Sequence, residues 1–152
     1  MRTSSIILTF LTSLSLVSCG TSTITVVSPD GTQKRVIDVE VANTEREREE
    51  GLMKRTELKK HSGMLFVFET PIITSFWMKD TLIPLDLLFF SEDGYFSSAY
   101  DAIPPCKKAE CPTYKSIELT KYALEMNAGD RKSLGIGVGW KLDLSSLPRA
   151  AR

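Results

Sequence analysis

Short apolar runs separated by turn residues are the feature that most restricts the fold of this chain. Val36 to Asn43 alternates between apolar and polar side chains, which is the pattern of a strand buried on one face. Leu85 to Phe90 is apolar apart from Asp86, which indicates a central strand covered on both faces. Pro29 to Gly31 and Glu92 to Gly94 supply the residues that tight turns need.

Helical signals are few by comparison. Thr44 and Glu47 form a capping box, so we expect one short helix that begins there and ends near Gly51. Lys121 to Met126 fits either a strand or a short helix. The remaining runs predict strands at Ile24 to Val27, Gly63 to Phe68, Ile72 to Met78, Tyr95 to Ile103 and Gly139 to Leu144. The sequence therefore predicts an α+β fold, mostly antiparallel β-sheet or a partly closed barrel, with one or two short helices.

The N-terminal segment has the order of a secretory signal peptide. Arg2 gives a positive start, and Ile6 to Val17 is an apolar run relieved only by Thr and Ser. As a helix this run would reach about 18 Å, against roughly 30 Å of bilayer hydrocarbon, which is too short for a permanent membrane span. We expect a lipoprotein signal peptide over residues 1–18 that is removed from the mature protein.

Leu16 to Cys19 resembles the bacterial lipobox. In that motif the Cys thiol is acylated and becomes the first mature residue, so Cys19 would attach the protein to a membrane through its lipid. Gly20, rather than Asp, follows the cysteine, which resembles the pattern sent to the outer membrane in two-membrane bacteria, facing the periplasm. The alternative is an ordinary signal peptide with an incidental cysteine.

Charge and length limit the remaining possibilities. The chain carries 19 basic and 19 acidic residues, so it offers no general field for nucleic acid. A chain of 152 residues without its leader suffices for one domain with a real core, and not for two. We expect a lipid-anchored tether and first strand over residues 19–33, followed by one globular domain over residues 34–146.

Cys106 and Cys111 are the two cysteines left once Cys19 is lipidated. In an oxidising compartment such a pair predicts a disulfide, which would close a small loop and contribute roughly 2 kcal/mol. A redox pair or a metal site are the alternatives. The spacing is C-x-x-x-x-C rather than the redox C-x-x-C, and zinc would need His61 and one more distant ligand. We expect a plain disulfide, no metal and no cofactor.

Six ordered blocks point to one known family. They are Val41-Ala42, Arg48 to Met53, Gly63 to Phe68, Phe76 to Thr81, Pro84 to Asp86, and Leu124-Glu125 with Ala128-Gly129. In this order they resemble the family called domain of unknown function 192, over about residues 36–142. The resemblance implies a compact, mostly β domain of exported bacterial and archaeal proteins, and it brings no accepted activity, cofactor or catalytic residue. The family usually has an Asp after the Gly of the closing strand, where this chain has Trp140, so any role of that Asp is not carried over.

The side chains around Trp77 form the candidate ligand site. In an extended segment Trp77, Lys79 and Thr81 project to one side of the chain. A rigid aromatic beside a cation, a hydroxyl and the carboxylates of Asp80 and Asp86 suits a small polar ligand or a sugar ring. The alternative is structural: Trp77 and Met78 are core, Lys79 pairs with a surface acid, and Asp80 bonds the backbone of the turn that leads to Pro84.

Two further sequence features give weaker indications of a functional site. His61 lies in a polar link, which predicts an exposed loop histidine, and no G-x-S-x-G motif accompanies it. Gly135 to Gly139 lacks the Lys and the following helix of a phosphate-binding loop, so strand flexibility or a bulge is expected there.

Three functions are compatible with these features. The first is a cell-envelope lipoprotein whose small domain is a non-catalytic ligand-binding or accessory module. The second is a hydrolase of envelope polysaccharide with Asp80 and Asp86 as acid and base, which requires the two carboxylates to face each other across a cleft. The third is a structural partner of another envelope protein.

Overall fold

A computed structural model describes residues 22–151 of the chain. The leader, Cys19 and its expected acylation lie outside these residues. Within them the fold is α+β and mostly sheet, with elements β1 (Ser22–Val27), β2 (Lys34–Ala42), α1 (Glu45–Glu50), β3 (Ser62–Ile72), β4 (Ser75–Trp77), β5 (Leu85–Phe90), β6 (Phe96–Ile103), β7 (Thr113–Lys115), β8 (Thr120–Asn127), α2 (Asp130–Leu134) and β9 (Lys141–Leu142). Two 3₁₀ turns follow, at Leu144–Ser146 and Arg149–Ala151. Over this range no helix is long and apolar enough to cross a membrane.

Seven strands form one mixed sheet in the order β6-β5-β8-β3-β2-β1-β9, and β4 pairs with β7 in a small antiparallel sheet. The pairing of β2 with β3 is parallel, and the other neighbours in the large sheet are antiparallel. A parallel pair needs a crossover, and residues 43–61 with α1 supply it. The expected antiparallel character therefore holds except at this pair.

The two edges of the large sheet meet at one end. The backbone amide of Phe96 donates to the Trp140 carbonyl at 2.9 Å, and the amide of Leu142 donates to the Gly94 carbonyl at 2.8 Å. Tyr95 and Lys141 form a bridge at the same place. The sheet is therefore curled into a half-barrel.

Two buried clusters lie on opposite faces of this sheet. Leu65 and Leu124 belong to the first cluster, which extends to Trp140 and the C-terminal turns. Phe66 and Ala123, their neighbours along the same strands, belong to the second, because successive side chains of a strand alternate between faces. The second cluster is covered by the segment after α1, through Leu52 and Leu58, and by the β4-β7 sheet, through Phe76 and Tyr114.

Several local predictions are confirmed. The Thr44 hydroxyl accepts from the Glu47 amide at 3.3 Å while the Glu47 carboxylate accepts from the Thr44 amide at 3.0 Å, which is the expected capping box. Strand β5 is buried at every position between β6 and β8. Cys106 and Cys111 form a disulfide with a Cα–Cα distance of 5.8 Å in the loop between β6 and β7.

Other segments differ from expectation. Gly135 to Gly139 is a loop rather than part of a strand, because Gly135 at φ 72° ends α2 and donates its amide to the Lys132 carbonyl at 3.1 Å. Lys121 to Met126 is part of strand β8. His61 is half-buried rather than exposed, since its amide donates to the Asp130 carboxylate at 3.1 Å and holds the turn before β3.

Candidate functional site

Asp86 lies in the core and not in a ligand pocket. Its side chain is fully buried, and its carboxylate accepts hydrogen bonds from the backbone amides of Ala102 at 2.8 Å, Gly129 at 2.9 Å and Arg131 at 3.0 Å. Ala102 has a φ of 49° at an irregularity of β6, and Gly129 precedes α2. The expectation that Asp86 contacts a ligand is therefore corrected: this carboxylate anchors two irregular backbone segments.

Asp80 lies in a different environment. Its side chain is exposed in the turn after β4, its φ is 53°, and its carbonyl accepts from the Lys54 amide at 2.7 Å. One aspartate is thus at the surface and the other is sealed in the core. This placement gives no support to a hydrolase in which Asp80 and Asp86 act as acid and base across a cleft.

Trp77, Lys79 and Thr81 do come together. Trp77 is 48% exposed, and the Lys79 ammonium lies 5.2 Å from the centroid of its ring, a cation–π contact. Thr81 is buried, and its hydroxyl donates to the Lys79 carbonyl at 3.3 Å. Three of the five predicted ligand-binding residues therefore form one group, while Asp80 lies on the neighbouring turn and Asp86 lies elsewhere.

A groove of about 400 Å³ lies beside Trp77, between α1, the end of β3 and β4. Its walls include Phe66, Phe68, Phe76 and Trp77, with Arg48 on the helix side. Phe66 and Phe76 are in edge-to-face contact, with ring centroids 4.9 Å apart, so this wall is well packed. Four of the residues that line the groove are therefore aromatic.

A small cavity of about 30 Å³ adjoins the inner end of the groove, and the lining residues that the two spaces share include Phe66, Phe76 and Trp77. Thr81, Gly51 and Glu125 close its inner side. This volume is enough for roughly one water-sized group. A polar substituent of a molecule in the groove could enter it.

Glu125 is the site residue that sequence reasoning missed. It sits on β8 on the same face as Ala123, it is 6% exposed, and no residue from 22 to 151 gives its carboxyl a hydrogen bond. Burial raises the pKa of Glu125 to about 8, because no charge or donor compensates the loss of water. The signal was present in the sequence as one acid inside the apolar run from Tyr122 to Met126.

Arg48 does not neutralise Glu125. Its guanidinium donates to the carbonyls of Asn43 at 2.6 Å and Val67 at 3.0 Å and lies 5.6 Å from the Phe68 ring centroid. Arg48 therefore fixes the helix to the end of β3 as part of the groove wall. Among residues 22–151 no group of three or more His, Cys, Asp or Glu side chains could hold a metal ion.

A second concavity, of about 440 Å³, lies where the sheet edges meet, next to Tyr95, Lys141 and Asp143. The Lys141 ammonium is 4.7 Å from the Tyr95 ring centroid. Lys141 and Asp143 are both partly exposed to solvent. We therefore take the groove with Glu125 as the candidate site, since of these two places on the described residues it is the one where a buried ionisable group faces open space.

Comparisons with known proteins agree on the fold. The family model of domain of unknown function 192, described as uncharacterised ACR, matches residues 25–144. The crystal structure of a suggested transcription regulator from Sinorhizobium meliloti 1021 is 33% identical, with a TM-score of 0.77, and the match covers 88% of this chain and 100% of that one. A protein of unknown function from Novosphingobium aromaticivorans DSM 12444 is 31% identical, with a TM-score of 0.75, over 85% of this chain and 89% of that one. No curated protein matches.

Proposed function

We propose that this chain, which belongs to the domain of unknown function 192 family, is an envelope-anchored protein that binds a small organic ligand in the groove beside Trp77. The observation that carries this proposal is the carboxyl of Glu125, buried and without a hydrogen-bond partner among the described residues, at the inner end of an aromatic groove. Loss of water around this carboxyl, which burial leaves without a compensating donor, has a cost in free energy. A ligand group that reaches Glu125 would offset that cost.

The groove has the features of a small-molecule site. Its volume of about 400 Å³ lies within the usual range of roughly 300–1,000 Å³. Phe76 and Trp77 offer ring surface for an apolar or planar part of the ligand. Glu125 and the Thr81 side chain offer polar contacts at the inner end.

Binding without catalysis is the function that this geometry favours. A nucleophilic hydroxyl needs a base within hydrogen-bond distance, but the Thr81 hydroxyl donates to the Lys79 carbonyl rather than to Glu125. Asp86 is held by three backbone amides and has no exposed surface.

Physical arguments speak against giving this chain the transcription-regulator role that the name of the Sinorhizobium relative suggests. A DNA-binding regulator generally presents a basic surface or a recognition helix to the duplex. Helix α1, Glu45–Glu50, has four glutamates among its six residues, and α2 has five residues. The acidic helix would be repelled by phosphate.

The envelope part of the proposal depends on the N-terminal leader and Cys19. The disulfide of Cys106 and Cys111 supports it, because such bonds persist in oxidising compartments. We expect Cys19→Ser to retain its leader and to lack acyl chains, as measured by intact mass. Normal maturation of the variant, together with retention in membranes after a carbonate wash, would show that the lipoprotein assignment is wrong.

A fragment screen tests the groove. We expect fragments that bind to shift the indole N–H resonance of Trp77 and to leave that of Trp140, which is 7% exposed on the opposite face, unchanged. Bound fragments should also raise the melting temperature, and Trp77→Ala should abolish the rise. Tyr95→Ala, at the second concavity, is the matched control. Fragment binding that survives Trp77→Ala would contradict this location.

A further inference from the structure

We infer that the groove recognises an organic cation, a ligand whose protonated amine enters the inner cavity and pairs with Glu125. The inference rests on the function proposed above, because it names the ligand class of the same groove. Three observations on the described residues lead to it: the position of the Glu125 carboxyl, the sign of the charges around it, and the aromatic walls.

The Glu125 carboxyl is open to the cavity because the residue opposite it, Gly51, has no side chain. Gly51 ends α1 with a φ of 48°, and a Cβ added there would lie 3.8 Å from Glu125 Oε2 and 3.3 Å from the Phe66 ring. The absence of a side chain at Gly51 leaves the cavity as an accessible space beside the carboxyl oxygen. A small donor such as an ammonium group fits a space of about 30 Å³.

The charges that face Glu125 favour a cation. From α1 the cavity is lined by Arg48, Glu49 and Glu50. The Arg48 guanidinium is bound to two backbone carbonyls. Strand β4 and the turn after it contribute the uncharged Trp77 and Thr81, and the neighbours of Glu125 on the adjacent strands are Met64 and Leu87. Even with Glu125 protonated, the carboxylates of Glu49 and Glu50 outnumber the one cationic group, Arg48, in this lining, so it favours a cation over an anion.

The aromatic side chains that line the groove also favour a cationic ligand. The faces of aromatic rings carry a negative potential and attract cations within about 6 Å of the ring centroid. Trp77 already holds the Lys79 ammonium of the chain at 5.2 Å. Phe66, Phe76 and Trp77 therefore line a path on which an organic ammonium is stabilised before it reaches the carboxyl.

Binding of a cation releases a proton. Because burial raises the pKa of Glu125 to about 8, its carboxyl is protonated in the empty groove at neutral pH. An ammonium ion in the cavity stabilises the carboxylate instead. The O–H bond of Glu125 breaks, its proton passes to the solvent, and the ligand keeps its own proton and charge. No oxidant or second reactant takes part.

Three probes with one ring and different charges test the inference: benzylammonium, benzyl alcohol and benzoate. Affinities are measured from the Trp77 indole shift, with Trp140 as internal reference. We expect benzylammonium to bind about tenfold more tightly than benzyl alcohol, and benzoate to bind most weakly. Glu125→Gln should weaken benzylammonium about tenfold and leave benzyl alcohol nearly unchanged. The control is Glu92→Gln, which removes an exposed carboxylate in the β5-β6 turn.

Calorimetry measures the protons released on binding, a quantity that would not depend on Glu125 if its role were purely structural. Titrations at pH 7 in two buffers of different ionisation enthalpy report the protons released on binding. We expect about one proton per benzylammonium for the natural chain and none for Glu125→Gln. Circular dichroism and the melting temperature establish that the variant is folded.

The outcomes separate this inference from the proposal on which it rests. Equal affinity for the three probes would overturn the cation inference. Benzylammonium binding that is unaltered in Glu125→Gln and releases no proton would overturn it as well. In either case, binding that depends on Trp77 would still support the groove as a ligand site. Absence of benzylammonium binding also overturns the inference. The function of the groove itself fails only when the wider fragment screen also leaves the Trp77 resonance unmoved.

Discussion

The carboxylate of Asp86 accepts a hydrogen bond from the backbone amide of Gly129 at 2.9 Å, and this contact ties the buried strand β5 to the start of α2. The same oxygen accepts from the amide of Arg131 at 3.0 Å, and the other oxygen accepts from that of Ala102. The Asp86 side chain therefore accepts hydrogen bonds from three backbone amides that would have no partner in a regular sheet or helix.

The Asp86 contacts predict that substitution of Asp86 and of Asp80 will affect stability very differently. Asp86→Asn replaces an acceptor oxygen by an amide donor, so at least one backbone amide is left unpaired at a cost of about 1–3 kcal/mol. Asp80→Asn, at an exposed position with φ 53°, should change the free energy of unfolding by less than about 0.5 kcal/mol, since Asn tolerates this conformation. Denaturant midpoints of both variants check the prediction, and equal midpoints would contradict it.

Glu125 predicts an unusual pH dependence of stability. Its pKa is raised from 4.5 to about 8 in the folded protein, so between these values the unfolded chain is ionised while the folded chain keeps its proton. The folded state therefore loses stability as pH rises through this window, by about 1.4 kcal/mol per pH unit from this group. Below pH 4.5 both states are protonated and the effect is absent.

Glu125→Gln should remove this slope. Urea unfolding from pH 5 to pH 8 should show the variant becoming progressively more stable than the natural chain, with little difference at the acid end. Glu92→Gln, exposed in its turn, should follow the natural chain. Parallel curves for Glu125→Gln and the natural chain would mean that Glu125 is ionised in the folded protein.

Gly63 predicts a severe packing effect. A Cβ at this position would lie 2.2 Å from the carbonyl oxygen of Glu125, so strands β3 and β8 would have to separate. We expect Gly63→Ala to cost about 3 kcal/mol or more. Gly137→Ala is the matched control, because its Cβ would meet nothing closer than 3.9 Å, and it should cost less than about 0.5 kcal/mol. Similar unfolding midpoints for the two variants would refute the close approach.

The disulfide predicts a local and moderate stabilisation. Cys106 and Cys111 are 5 positions apart in the sequence, and closing so short a loop contributes roughly 2 kcal/mol. The double variant Cys106→Ser, Cys111→Ser should lower the free energy of unfolding by that amount and make it insensitive to reductant. The natural chain should lose a similar amount when reduced. A natural chain unaffected by reductant would show that the bond adds no stability.

Features decided by neighbouring residues were predictable from the sequence. The capping box of Thr44 and Glu47 and the burial of Leu85 to Phe90 depend on contacts within a few residues or on one strand. The pairing of Cys106 with Cys111 needed only an oxidising environment and two free thiols. The family was recognisable because six such local blocks occur in a fixed order, and the family match over residues 25–144 confirms it.

The candidate site was only partly predictable, as Trp77 and Thr81 show. Both were expected to share one side of an extended segment, and both line the inner cavity. Lys79 was expected near a surface acid or a ligand, and its ammonium lies against the Trp77 ring. The groove itself needs α1 and the end of β3 beside β4, an arrangement that sequence spacing does not specify.

Asp86 and Glu125 show most clearly what the sequence determined and what only the tertiary structure decided. Each is a single acid inside a continuous apolar run, and such a run indicates a strand covered on both faces, in which the acid is buried too. The strand order then places three free backbone amides around Asp86 and an open cavity beside Glu125. Local sequence sets which side chains leave water, whereas the partners that they meet there come from residues distant in the chain, and folding alone brings those together.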